Sequence, residues 1–181
     1  MERKLAYVAL FAALIAVLTL VPAITLPLGV PITAQSLGIM LAGAVLGGRL
    51  GFLAVALYVA LGLIGLPIFA GGKGGLSVLA GPTAGFILGF PIAALITGLL
   101  VESWRDAPIA IASFLGALIG AVFVLYGLGI LGLMINAGMT FKAAATAMMP
   151  FLPGDLLKAG LTAILAQGLA RARPQAILSR A

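Results

Sequence analysis

Long apolar stretches make up most of the chain, and short segments rich in glycine, proline or charge separate them. A helix needs roughly 20 apolar residues to cross a bilayer, and fewer where neighbouring helices shield it. The pattern therefore predicts an all-α integral membrane protein, with a bundle of six transmembrane helices in a single membrane domain over residues 1–181. The predicted spans cover about residues 5–21, 34–48, 50–66, 82–101, 107–135 and 153–170.

The segments that join these spans differ in length on the two sides of the predicted membrane. Two short turns, 47–49 and 102–107, lie on one side. Three longer segments rich in glycine and proline, 22–33, 67–81 and 136–152, lie on the other. Because long loops over a rigid scaffold often form binding sites, this asymmetry predicts a pocket on the side of the long loops.

Small residues recur at four-residue spacing, as in Gly43/Gly47/Gly51, Gly81/Gly85/Gly89 and Gly116/Gly120. In lipid, such spacing lets two helices approach closely. Packing within the bundle is the simplest interpretation of each pair. The fifth span is long enough to be tilted, or to be broken at Gly127, Gly129 and Gly132.

Composition supports the membrane assignment, because 64% of the residues are hydrophobic and soluble domains are only about half apolar. The mean hydropathy is +1.31. The chain has neither cysteine nor histidine, which excludes disulfides, thiolate metal sites and the commonest general base. We therefore expect no metal, no cofactor, no catalytic residue and no enzymatic activity.

The net charge of +6 comes from scattered basic residues rather than from a run, so membrane topology explains it better than nucleic acid binding does. We expect membrane lipid, and no nucleic acid, as a partner. The basic start and the apolar run after it resemble a signal peptide, but without a cleavage site, and we expect a first span that stays. Seven basic residues fall on the side of both termini: Arg3, Lys4, Arg49, Arg105, Arg171, Arg173 and Arg180. Only Lys73, Lys142 and Lys158 fall on the other. The positive-inside rule then predicts a multi-pass protein of the plasma membrane with both termini in the cytoplasm and residues 171–181 as a surface anchor.

The stretch FLPGDLLKAG, residues 151–160, places an acid and a base at the start of the last predicted span. Pro153 suits a first helical turn, where the helix dipole favours the negative charge of Asp155. Lys158 and Thr162 follow on the same helical face. The three groups form either a self-neutralising ion pair or a site for a small ligand with a carboxylate and N–H groups.

Two further segments supply candidate ligand contacts. Gly71, Gly72, Lys73, Gly74 and Gly75 form a loop that either brings backbone amides to a ligand or is only a flexible turn. This loop does not match the phosphate-binding pattern of nucleotide-binding proteins. Gln35 is either a ligand contact or a polar interface residue. Tyr58, Phe69 and Tyr126 would wall an apolar pocket, although ordinary packing is the simpler interpretation of each.

Three motifs together resemble the BioY family, whose members are the biotin-binding S components of energy-coupling factor (ECF) transporters. They are PITAQSLGIMLAGAVLG at 31–47, GGKGGLSVLAGPTAGFILGF at 71–90 and LPGDLLK at 152–158. The resemblance extends over about residues 5–170. It implies the six-helix S-component fold, high-affinity biotin capture from outside, and a T component and ATPase subunits as partners.

The resemblance also implies roles for particular residues. Biotin would contact Asp155, Lys158 and Gln35, with the loop of Gly71–Gly75 closing the site. From the chemistry of the groups, and not from the resemblance, we infer that the ureido N–H groups of biotin suit Asp155 and that its carboxylate suits Lys158. An alanine face of the first helix would contact the T component, and both Ala9/Ala13 and Ala12/Ala16 fit that spacing.

Other functions remain open at this stage. The chain could be an S component for a different small vitamin-like ligand. A panel of ligands would distinguish the two, because a vitamin without N–H donors would make poor use of Asp155. A membrane enzyme would have to use a serine such as Ser77 with a nearby lysine. A purely structural subunit would bind no small molecule and would leave the long loops unexplained.

Overall fold

Helices and turns form the whole of the described structure, a computed structural model that covers residues 2–22, 30 and 32–180. No β-strand occurs in these ranges, which confirms the all-α prediction. The helices are α1 Glu2–Leu18, α2 Gln35–Leu46, α3 Gly48–Leu63, α4 Ala84–Ser103, α5 Ile109–Asn136, α6 Phe141–Ala147 and α7 Leu152–Ala172. Short 3₁₀ turns cover Leu76–Ala80, Met149–Phe151, Pro174–Ala176 and Leu178–Arg180.

Three stretches within the described residues are helical, long and apolar enough to cross a membrane: Ala84–Ser103, Ile109–Asn136 and Phe141–Ala172. Shorter apolar helices precede them, with 12 residues in α2 and 16 in α3. At about 1.5 Å per residue, α2 is roughly 18 Å long, while the hydrocarbon core is about 30 Å thick. Helix α2 is therefore too short to cross the hydrocarbon core by itself.

The turn between α2 and α3 depends on a single glycine. Gly47 has a φ of 84°, a left-handed conformation that glycine adopts without a steric penalty. A side chain at Gly47 would collide with the carboxylate of Glu102. That carboxylate accepts a hydrogen bond from Gly48 N at 3.0 Å. Glu102 therefore caps the start of α3, where a helix has unpaired N–H groups and a positive dipole end.

Glycines hold α4 at close range to its neighbours, as predicted for packing within the bundle. A Cβ at Gly43 of α2 would lie 2.6 Å from Ala94 O of α4. A Cβ at Gly120 of α5 would lie 2.6 Å from Ala93 O, which also belongs to α4. Gly85 of α4 likewise packs against α5. Gly81, in contrast, lies before α4 begins, so it does not belong to this helix face.

The irregular part of α5 does not lie where the sequence predicted it. The helix continues through Gly127, Gly129 and Gly132, and a π-helical turn occupies Leu118–Val124 instead. Gly129 packs against the ring of Phe86, and Gly132 packs against α4. These two glycines allow close helix contact, so they do not break the helix.

A helix occupies part of the segment 136–152, which was predicted to be a loop. Helix α6 covers Phe141–Ala147, and the Thr140 hydroxyl accepts a hydrogen bond from Ala143 N at 3.3 Å. Thr140 is thus a typical N-cap, and the alanines that follow favour a helix. Both signals were present in the sequence.

The C-terminal segment is packed into the bundle, so the prediction of a surface anchor was wrong. Ile177 and Ser179 are 3% and 1% exposed. The Ser179 hydroxyl donates to Ala44 O at 2.6 Å. The usual partner of this carbonyl would be Gly48 N, which donates to Glu102 instead. Burial, together with the charge of Arg105, lowers the pKa of Arg180, whose guanidinium donates to two backbone carbonyls.

We predict that Ser179→Ala destabilises the protein because it leaves the buried carbonyl of Ala44 without a donor. An unpaired buried acceptor costs about 1–3 kcal/mol. The measurement is the thermal unfolding midpoint of the purified protein in detergent. Ser103→Ala is the matched control, since the exposed Ser103 hydroxyl also donates to a helix carbonyl, Leu100 O, at 2.9 Å. Equal midpoint shifts in the two variants would contradict the prediction.

Candidate functional site

A cavity lies between α2, α4, α5, α7 and the segment that follows α3. Its volume is about 90 Å³, several times the roughly 10–15 Å³ that one water needs. The polar lining consists of Thr33, Gln35, Ser36, Lys73, Thr83, Tyr126, Asp155 and Lys158. The apolar lining consists of Val30, Phe69, Ala70, Val78, Phe86, Ile87, Phe90, Leu125 and Phe151.

Four of the polar side chains form one connected network, which we call the polar corner: Ser36, Tyr126, Asp155 and Lys158. Lys158 Nζ lies 2.9 Å from Asp155 Oδ1 and 2.9 Å from Ser36 Oγ. Ser36 Oγ donates to Asp155 Oδ1 at 3.0 Å. Tyr126 OH donates to the other carboxylate oxygen, Oδ2, at 2.8 Å. The polar corner therefore joins α2, α5 and α7.

The pairing explains how an acid can lie in this apolar bundle. Asp155 is 5% exposed, and an isolated buried carboxylate would be strongly disfavoured. Its carboxylate oxygens accept from three side-chain donors, Lys158, Ser36 and Tyr126, and it lies in the first turn of α7. Asp155 and Lys158 lie one helical turn apart, as predicted, and both line the cavity. Thr162 does not join them, because its hydroxyl donates back to Lys158 O at 2.9 Å.

A second hydrogen-bonded group lies beside the polar corner and involves Gln35. Gln35 is 4% exposed, and its Nε2 lies 2.6 Å from Tyr58 OH. The same hydroxyl donates to Ile68 O at 2.7 Å. The Tyr58 ring packs edge-on against Phe69, with ring centroids 5.6 Å apart. Gln35 therefore connects α2 to α3 and, through Tyr58, to the segment after α3 that lines the cavity.

The glycine-rich loop places a lysine at the cavity. Lys73 lines the cavity and is exposed to solvent. Gly71, Gly72 and Gly75 adopt positive φ angles of 75°, 70° and 84°, which glycine permits. Lys73 O accepts a hydrogen bond from Phe69 N at 2.9 Å, which closes the turn. These glycines, with Gly74, shape the turn but do not lie among the residues that line the described cavity, so a ligand contact there remains a prediction.

Sequence reasoning missed Ser36 and undervalued Tyr126. Both contact Asp155, yet they lie 119 and 29 residues away along the chain. The position of Ser36 beside Gln35 was the only available signal. Ordinary packing was the simpler interpretation of Phe69 and Tyr58. In the structure Phe69 is part of the apolar wall of the cavity, and Tyr58 is a hydrogen-bond partner of Gln35.

The two alanine pairs of α1 face different ways. Ala9 and Ala13 are exposed, whereas Ala12 is 4% exposed and Ala16 packs against the core. The outward face is therefore the Ala9/Ala13 face. Within the described residues, no three His, Cys, Asp or Glu side chains cluster so that they could hold a metal ion.

Comparison with known proteins identifies the family. The model of the BioY family matches residues 2–175. The chain belongs to the BioY family. Its relatives include the "Biotin transporter BioY" of Rhodobacter capsulatus, 52% identical over 99% of this chain and 100% of that protein. The protein of the same name from Rhizobium etli is 45% identical over 92% of each chain.

A solved structure supports the same assignment at the level of the fold. The crystal structure of the S-component for biotin from an ECF-type ABC transporter superposes on this BioY protein with a TM-score of 0.89. The two chains are 28% identical over 94% of this chain and 92% of the other. The resemblance seen in the sequence motifs is thus confirmed. The family is one of transporters, which confirms the expectation that the chain is not an enzyme.

We predict that the buried charge pair is sensitive to the loss of one partner alone. Lys158→Met leaves Asp155 buried without its cation, which costs about 3–5 kcal/mol in pairs of this kind. The double variant Asp155→Asn/Lys158→Met leaves no unpaired charge, so its thermal midpoint in detergent should lie above that of Lys158→Met. Lys142→Met, at an exposed lysine of α6, is the control and should have little effect. A double variant less stable than Lys158→Met would contradict this account.

Proposed function

We propose that this BioY protein is a high-affinity biotin-binding S component that takes up biotin across the plasma membrane. The observation that supports it most directly is the polar corner in the wall of the cavity, in a chain whose relatives are named biotin transporters. A cavity with mostly apolar walls and a few converging polar groups is typical of small-molecule sites. Biotin offers a cyclic urea, an apolar ring system and a carboxylate to these features.

The geometry of the polar corner favours one orientation of the ligand. Asp155 and Lys158 lie 2.9 Å apart, so they meet the same end of a ligand. The ureido group and the carboxylate of biotin lie at opposite ends of the molecule. A cyclic urea has both N–H donors and a carbonyl acceptor, which suit an acid beside a lysine and a serine hydroxyl. We therefore propose that both charged residues meet the ureido ring, in place of the separate roles inferred from the sequence.

The rest of the cavity then suits the remainder of biotin. The rings of Phe69, Phe86 and Phe90 would enclose the fused rings and the methylene chain. Lys73, an exposed cation that lines the same cavity, would pair with the carboxylate. The glycine loop around Lys73 would close over the ligand, as the resemblance implies for Gly71–Gly75.

We also propose that six helices cross the membrane as a single domain, with both termini in the cytoplasm. Helices α1, α2 and α3 would join the three long apolar stretches. Buried neighbours and capping side chains would make up for the short length of α2. The excess of basic residues on the side of the termini supports this orientation.

The partners would be a T component and ATPase subunits. The chain carries no phosphate-binding loop pattern of its own, so energy would come from these subunits. The T component would dock on the exposed Ala9/Ala13 face of α1, since small residues allow close helix contact in lipid. Ala12 and Ala16 would serve packing inside the bundle.

A calorimetric titration of the detergent-purified protein with biotin and with biotin methyl ester tests the ligand and its orientation. We expect tight binding of biotin and weaker binding of the ester. Lys73→Ala should weaken biotin about tenfold and leave the ester unchanged, because only the carboxylate loses a partner. Lys158→Ala should weaken both ligands alike, because it acts at the shared ureido end.

Lys142→Ala, at an exposed lysine outside the cavity, is the matched control and should leave both affinities unchanged. If Lys158→Ala selectively removed the preference for biotin over the ester, the proposed orientation would be reversed. If neither ligand bound to the folded wild-type protein, biotin would be excluded, and a panel of other vitamins would be titrated.

Substitutions on α1 test the docking face. Ala13→Trp should block uptake of labelled biotin by cells that also express the T component and ATPase subunits, while the purified variant binds biotin normally. Ile164→Trp, at a residue of α7 that is 68% exposed, is the control for bulk added to a lipid-facing surface. Normal uptake by Ala13→Trp would place the T component elsewhere.

A further inference from the structure

Tyr58 is a buried tyrosine whose hydroxyl joins three parts of the fold. It is fully buried in α3. Its OH lies 2.6 Å from Gln35 Nε2 of α2 and 2.7 Å from Ile68 O in the segment after α3. Thr19, which follows α1, lies 3.4 Å away. Neither Tyr58 nor Ile68 lines the described cavity, but Gln35 does.

The number of protons fixes the direction of these hydrogen bonds. A backbone carbonyl only accepts, so the single hydroxyl proton of Tyr58 is donated to Ile68 O. The Thr19 hydroxyl donates to Ile15 O at 2.8 Å, so it has no proton left for Tyr58. The atom of Gln35 that faces Tyr58 must therefore be a donor.

We propose that Tyr58 is a positioning residue that holds Gln35 with its amide oxygen, Oε1, available to the cavity as an acceptor. Gln35 lies next to Ser36, a member of the polar corner. The cavity would then offer two acceptors, Gln35 Oε1 and the Asp155 carboxylate, to the two N–H groups of a cyclic urea. The ligand class rests on the proposed function, whereas the amide orientation does not.

This arrangement makes the site selective. With the amide held in this orientation, a ligand that lacks one of the two N–H groups leaves a buried acceptor unpaired. An unpaired acceptor of this kind lowers affinity by about tenfold or more. A freely rotating amide could instead turn its NH₂ group to such a ligand and lose the discrimination.

Tyr58→Phe tests the proposal, because it removes one oxygen and keeps the ring and its edge-on contact with Phe69. We expect the Kd for biotin to rise about tenfold. In a Gln35→Met background there is no amide to orient, so Tyr58→Phe should change the Kd no further. Tyr7→Phe, the same change near the start of α1, is the matched control and should bind biotin as the wild type does. An equal loss in both backgrounds, or no loss in the wild-type background, would overturn the proposal.

A second measurement needs no ligand. It tests the orientation of the Gln35 amide even if Gln35→Met binds biotin too weakly to titrate. The chain has three glutamines, Gln35, Gln167 and Gln175, so glutamine-selective ¹⁵N labelling gives three side-chain amide signals. The Gln35 protons should exchange slowly with solvent in the wild type and faster in Tyr58→Phe. Equally slow exchange in both would overturn the amide orientation. Failure of the wild type to bind biotin, with the exchange difference present, would overturn only the proposed function.

Discussion

A buried polar group is costly in this apolar bundle unless the chain supplies a partner for it, and helix α2 shows how far that constraint reaches. Both ends of this 12-residue helix are buried, since Gln35 at its start and Leu46 at its end are 4% and 2% exposed. At one end, Ser179 and Glu102 take up groups that the α2–α3 turn leaves unpaired. At the other end, Gln35 and Ser36 pair with α3 and α7. The cavity described above lies at this second end, and both Gln35 and Ser36 line it.

Because of the same constraint, the side chains of the polar corner are already hydrogen-bonded to one another before any ligand binds. Asp155 is held by Lys158, Ser36 and Tyr126, from three helices, so its carboxylate is fixed in position. When a ligand forms hydrogen bonds with a side chain that is already held in place, less conformational entropy is lost on binding. Closing the site would then mainly involve the segment after α3, where three glycines with positive φ shape the turn around Lys73.

Local patterns made the helices and the ion pair predictable. Apolar runs located six of the seven described helices to within a few residues but missed α6. The three-residue spacing predicted that Asp155 and Lys158 lie together. Contacts between distant parts of the chain could not be predicted in this way. Ser179 reaches Ala44 across 135 residues, and Ser36 reaches Asp155 across 119. A single sequence carries no signal for such pairs, so the buried C-terminal segment was taken for a surface anchor.

The direction of a hydrogen bond adds a level of specificity that composition does not reveal. Side-chain hydroxyls and amides can both donate and accept, but backbone carbonyls only accept. A buried hydroxyl that donates to a carbonyl, as Tyr58 does to Ile68, has no second proton to donate. Any further hydrogen-bond partner of that hydroxyl must therefore be a donor. Tyr126 differs, because its proton goes to Asp155, which accepts in any case. Of these two tyrosines, only Tyr58 therefore determines which atom of a rotatable neighbouring side chain, the amide of Gln35, faces it.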